Sequence, residues 1–316
     1  MQSTTNLNRE FYVRPPLELS GQLGISINSV LKVVKPLYRV PEAGNHWFRT
    51  YHSHHIKNLG MDQSTYDPCL LQCTADCFGV VGLQTDDTLF LADDIFATAE
   101  QIELQKAKFL AKDREQLTVN TPLKFNGSVI HLLPNDTITL TQEKQCLHLS
   151  TISTKATNST SSRGNIRPAL SLQDQYVAQR ARGAYIASVC QPEASFDLSF
   201  ATQVINPTED DAKLLNKRLA WQLQNPNRGL KFVKLDINTL QLVVFTDASF
   251  ANNKDLSSQI GYVITLTDAT NQANIIHWSS VKCKRITRSV LASELYGMAH
   301  GFDISTAIKS TIDRIL

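Results

Sequence analysis

The chain has 316 residues, room for about two domains at roughly 100–200 residues each. Hydrophobic residues at 42% and charged residues at 19% exclude wholesale disorder. Lys and Arg number 31 against 29 Asp and Glu, a formal charge of +2 that excludes a uniformly basic nucleic-acid binder and confines any basic surface to local patches. No apolar run is long enough to span a membrane, and the opening MQSTTNLNREF lacks the apolar stretch of a secretory signal, so an intracellular, non-secreted protein is expected.

In chain order, Tyr12-Val13-Arg14-Pro15-Pro16 predicts extended backbone, because proline and the residue before it avoid helix. Leu31 to Tyr38 reads as a short strand. Residues 41–60 predict an amphipathic helix with Trp47, Phe48, Tyr51, His55 and Leu59 near one face and Gly60 as its C-cap. Two apolar runs, 78–83 and 88–91, flank the turn cluster Thr85-Asp86-Asp87 and predict a β-hairpin with two carboxylates at its tip. Residues 97–113 read as helical, and Leu123 to Leu149 as several short strands. The Ser/Thr/Asn-rich stretch 151–167 predicts a linker or mobile loop. Helices are expected over 172–190 and 208–224. From Leu240 three strands follow, LVVFTDASF, IGYVITLTD and NIIHWSSV, and then a helix from Ser289 to Ile308.

Six cysteines are too few for a disulfide scaffold. Cys69, Cys73 and Cys77 are spaced by four, but neither a second pair nor the nearby His52, His54 and His55 complete a zinc spacing, and ordinary reduced thiols are expected.

Two acidic constellations carry candidate chemistry. Asp86-Asp87 puts adjacent carboxylates in a tight turn, where oxygen ligands suit a hard cation such as Mg²⁺; Asp is equally an ordinary turn former. Asp247 interrupts an apolar strand, and Glu294 follows 47 residues later in a helix among Leu291, Leu295 and Met298. A strand carboxylate and a packed-helix carboxylate can share a metal; a solvated strand end and an exposed helical glutamate fit the pattern as well. Lys282, Lys284, Arg285 and Arg288 form a local basic cluster suited to phosphate contacts or to a solvated face.

The blocks EFYVRPP, VVKPLYRVPEAGNHWFRTYHSHHIKNLGMDQSTYDPCLL, VGLQTDDTLFL, RARGAYIASVCQP with FATQVINPT, VVFTDASFANNKDLSSQIGYVI and IHWSSVKCKRITRSVLASELYGM occur in order. Together they resemble the Pol polyprotein of copia-type LTR retrotransposons: the rear of the reverse transcriptase, the connection and the start of the RNase H domain. The resemblance implies a mixed α+β to α/β fold, with a partial reverse-transcriptase palm and thumb over residues 1–150. It implies a linker and connection over 151–239 and an incomplete RNase H-like mixed sheet with helices over 240–316. Asp86 and Asp87 match the family's hairpin aspartates, with Asp86 the expected direct ligand, and Asp247 and Glu294 match the first two RNase H carboxylates. Mg²⁺, with Mn²⁺ as substitute, would serve both sites. An RNA template, a DNA primer and an RNA–DNA hybrid would be the partners, in a cytoplasmic particle or the nucleus, with no membrane.

The chain departs from the family as well. Gln84 and Thr85 stand where the family has Tyr-Val, and Arg39-Val40-Pro41-Glu42 where it has Gly-Leu-Lys-Gln. The family's first polymerase carboxylate would precede Met1, and its third RNase H aspartate would follow Leu316. Asp303, nine residues after Glu294, faces away from it and is no substitute. The expectation is therefore an inactive polymerase and RNase H fragment. The alternatives are a non-catalytic remnant that grips an RNA–DNA duplex, and an unrelated α/β protein with acidic turns.

Overall fold

A computed structural model describes residues 7, 9–36, 40, 42–74, 76–85, 87–153, 159–160, 166–167 and 170–316. The fold is mixed α+β, with small antiparallel sheets among helices. Contacts divide it into two compact units, one of Met1–Arg114 with Ser310–Leu316, the other of Glu115–Lys309.

The first unit begins with β1 (Phe11–Val13), α1 (Leu17–Leu23) and β2 (Leu31–Val33), and β1 pairs antiparallel with β2. The predicted strand from Leu31 is thus cut short, and Leu37, Tyr38 and Arg39 lie outside the described residues. Helix α2 (Ala43–Leu59) ends where the sequence predicts. Gly60 takes φ +59° and its N–H donates to the His55 carbonyl, a left-handed cap that a glycine adopts without a Cβ clash.

Then β3 (Met61–Gln63), β4 (Leu70–Cys73), β5 (Gly79–Gln84) and β6 (Asp87–Ala92) form a four-stranded meander. In β5 the burial alternates, with Gly79, Val81 and Leu83 inward, the period-two signature of a half-covered strand. Tyr51, Met61, Leu71, Val81, Leu83 and Phe96 make the core between this sheet and its helices. Helix α3 (Asp94–Lys106) starts at Asp93, whose carboxylate accepts from the backbone N–H of Phe96 at 2.7 Å. It stops well before the expected residue 113, because Lys108 adopts a left-handed φ of +56° that a helix cannot continue through.

The second unit opens with β7 (Leu123–Phe125), β8 (Ser128–Leu132) and β9 (Ile138–Thr141), followed by α4 (Glu143–Leu147). In the expected linker, β10 (Ser159–Thr160) pairs with β11 (Ile166–Arg167); Thr154–Asn158 and Ser161–Asn165 lie outside the described residues. Helices α5 (Leu172–Val189), α6 (Ser195–Ala201) and α7 (Glu209–Gln224) close over a core of Tyr176, Ile186, Leu198, Leu215 and Leu219. A capping box between Thr208 and Asp211 sets the start of α7.

After α7, β12 (Leu230–Phe232) pairs with β9 and completes a four-stranded sheet in the order β12-β9-β8-β7. This long-range pairing ties residues 123–141 to the helical region. The boundary between the two units falls after Arg114.

Three long strands follow, β13 (Gln241–Ser249), β14 (Gln259–Thr267) and β15 (Ala273–Lys282), in the order β13-β14-β15, so β13 is an edge strand. Helix α8 (Val290–Ile315) covers one face of this sheet. On β15, Trp278 packs against the helical core, and its indole N–H donates to the Ala187 carbonyl at 3.0 Å. Among the described residues no helix is long and apolar enough to cross a membrane.

Candidate functional site

The expected hairpin forms, but its second strand starts at Asp87 and not at Thr88. Val81 faces Phe90, Gly82 faces Leu89, and Gln84 faces Asp87, so Asp87 opens the second strand at the tip. Thr85 takes φ +54°, the left-handed geometry that tight hairpin turns demand. Asp86 lies outside the described residues. Asp87 is exposed and borders a cleft of about 260 Å³ walled by Trp47, Phe48, Tyr51 and Leu83. Among the described residues its carboxylate has no hydrogen-bond or ion-pair partner, so it presents acceptor oxygens to solvent.

Beneath that cleft is a buried polar network that pattern reading passes over. Glu100, on α3, is buried; its carboxylate accepts from the Tyr51 hydroxyl at 3.0 Å, lies 3.4 Å from His55 Nε2, and pairs with Arg114. Tyr51 and His55 stack with ring centroids 4.0 Å apart. Burial opposes ionisation of Glu100, but the hydrogen bond and charge of His55, with the charge of Arg114 and the Tyr51 hydroxyl, hold its carboxyl below the usual glutamate range. Burial, reinforced by the Glu100 charge, pushes the Tyr51 phenol far up. The sequence signal was available: Glu100 lies four residues after Phe96, on the helix face that enters the core.

The second acidic pair sits on β13 and α8. A triangle of buried hydroxyls fixes the start of the helix: Ser258 to Thr287 at 2.8 Å, Ser258 to Ser293 at 2.9 Å, and Thr287 to Ser293 at 2.8 Å. Small residues let α8 approach the strand. A Cβ built on Gly297 would lie 3.4 Å from the Asp247 carbonyl oxygen and 3.8 Å from the Ala248 Cβ. One on Gly301 would meet Thr246 Cγ2 at 2.8 Å and Val244 Cγ1 at 3.2 Å. Val244, Thr246 and Ala248 therefore face the helix.

Because successive strand side chains alternate, Asp247 points to the other face, where it is exposed opposite Gly261 of β14. Glu294 is half-buried on the flank of the helical stripe that faces the sheet. The close approach at Gly297 and Gly301 brings the Glu294 turn of the helix near the Asp247 backbone. Leu291, Leu295 and Met298, with Phe302, form an exposed stripe along α8.

The basic cluster lies at the end of β15 and in the segment leading to α8. Lys284, Arg285 and Arg288 are exposed, and Lys282 is paired with Asp255. Among the described residues, no group of three or more His, Cys, Asp or Glu is arranged to hold a metal ion. The hard-oxygen chemistry of Asp87 and of Asp247 suits Mg²⁺ individually.

No protein-family profile matches the chain, and no curated protein is similar to it at a significant level.

Proposed function

We propose that the chain is a fragment of a copia-type retrotransposon Pol polyprotein, carrying the rear of a reverse transcriptase, a connection and the start of an RNase H domain. The observation that carries this reading is the β5–β6 hairpin: its register puts Asp87 at the tip, within the block where the resemblance puts the polymerase carboxylates. The strand order after residue 240 supports it, since three antiparallel strands and a helix carry Asp247 and Glu294 in the family's order. A divalent metal, when bound in an intact family member, would bridge phosphate oxygens and stabilise in-line displacement. In this chain Asp87 offers an unpartnered carboxylate at a strand end, and Asp247 offers one on an open sheet face.

A polypeptide of residues 1–316 is expected to be inactive in both reactions, because among the described residues no group of three or more His, Cys, Asp or Glu is arranged to hold a metal ion, and metal position is the catalytic device. With Mg²⁺ or Mn²⁺, a primed RNA template should show no nucleotide incorporation, and an RNA–DNA hybrid little or no RNA cleavage. Robust incorporation that is abolished by Asp86→Asn or Asp87→Asn would overturn the inactivity. The family reading has its own test: DNA on both sides of the reading frame should encode further polymerase and RNase H motifs, intact or decayed. Unrelated flanking sequence would remove it.

A second reading, a non-catalytic grip on an RNA–DNA duplex, is favoured by Lys284, Arg285 and Arg288, which stand exposed together.

A further inference from the structure

The Sγ atoms of Cys73 and Cys77 lie 2.8 Å apart. Cys73 ends β4, and Cys77 follows in the connection to β5. That separation is well inside ordinary van der Waals contact between sulfurs and only slightly longer than a disulfide bond of about 2.05 Å. Both thiols are half-buried on the wall of an open cleft of about 650 Å³, within reach of small molecules. The connection is anchored close by, since the Phe78 backbone N–H donates to Asp93 at 2.8 Å. Both sulfurs are therefore held near a structured strand end, and closing the bond asks for a small movement.

We propose that Cys73 and Cys77 form a reversible dithiol–disulfide pair that reacts with small cationic disulfides entering this cleft. The preference for a cation follows from the lining. Asp62, Asp76 and Asp93 face the cleft against one guanidinium, that of Arg314, and the net negative field draws in cations and repels anions. The hydrogen bond to Cys73, with burial and the charges of Cys73, Asp93 and Asp76 added, pushes the Cys77 thiol up to about 11. At 2.8 Å either sulfur is placed to attack an incoming disulfide and the other to close the bond.

In the first step one thiolate of the pair attacks one sulfur of the incoming disulfide, forming a mixed disulfide and releasing one thiolate. In the second step the other cysteine gives up its proton and attacks the protein sulfur of the mixed disulfide, and the second small thiolate leaves. Two protein thiols are oxidised, one external disulfide is reduced to two thiols, and the protons pass to the leaving groups. This proposal is independent of the polymerase reading.

The test uses the whole reduced chain with cystamine, a cationic disulfide, beside oxidised glutathione, an anionic one. Unreacted thiols are alkylated and the peptides mapped by mass spectrometry. The expected product is a Cys73–Cys77 link with Cys69 still alkylated. It should form about tenfold faster with cystamine at low salt, and the advantage should shrink as salt rises. Cys73→Ser and Cys77→Ser should each stop at a mixed disulfide on the remaining cysteine of the pair, with circular dichroism checking that each variant folds. The wild-type map needs no variant. A stable mixed disulfide without internal closure, a link through Cys69, or equal rates with the two reagents would overturn the proposal.

Discussion

Gly301 of α8 sits so close to Thr246 of β13 that a Cβ on the glycine would come within 2.8 Å of the Thr246 methyl. Val244 and Tyr262 complete the cradle at 3.2 and 3.4 Å. None of these contacts is the far end of a flexible chain, since Thr246 and Val244 are β-branched and the Tyr262 contact is its Cβ. The helix therefore touches the sheet through its backbone, and this closeness brings Glu294 toward β13.

Replacing Gly301 with alanine should destabilise the protein, although alanine is the better helix former by about 0.5–1 kcal/mol. Overpacking of this kind costs roughly 1–3 kcal/mol, so the net loss should be about 1 kcal/mol. Urea unfolding of the variant beside the parent measures it. A stabilised Gly301→Ala protein would show that the helix and strand yield freely at this contact.

Glu100 should make unit one sensitive to acid. Its native carboxyl titrates below the usual range, so the unfolded chain binds the proton more readily. The stabilisation is complete above the unfolded value of about 4.3 and is lost as pH falls from there through the lowered native value. Glu100→Gln should lose roughly 2 kcal/mol at neutral pH, by weakening charge-assisted bonds to His55, Tyr51 and Arg114. The difference between variant and parent should narrow in acid. Thermal melts at neutral and acidic pH report both effects, and a gap that widens in acid would contradict this account.

The basic segment before α8 should reveal itself through salt. If Lys284, Arg285 and Arg288 meet phosphates, replacing each with alanine should weaken hybrid binding without regard to sequence. Each contact removed should reduce the slope of log affinity against log salt by about 0.9. Lys282→Ala should matter less, since Asp255 already holds that ammonium. Filter binding across a salt series gives the slopes, and a triple variant with the parent's slope would place the duplex elsewhere.

Local chemistry made part of this protein legible in its sequence. The Gly60 cap, the Thr208–Asp211 capping box, the β5–β6 hairpin and the three strands after residue 240 depend on neighbours a few positions apart, and each follows from turn residues, caps and periodicity. The ends of elements were less legible, because one left-handed residue at Lys108 halts α3 where the apolar pattern runs on. Partner choice was not legible at all. The pairing of β12 with β9 ties residues 123–141 to the second unit, and no local signal encodes a contact between residues 230 and 140. On α8 it is Ser293, Gly297 and Gly301 that meet the sheet, while Leu291, Leu295 and Met298 stand exposed. The sequence alone determined which carboxylates stand on a hairpin, a strand and a helix. Only the tertiary structure decided that α8 lies against Val244, Thr246 and Ala248 and leaves Asp247 on the other face of the strand, because that depends on which face of a strand a distant helix covers.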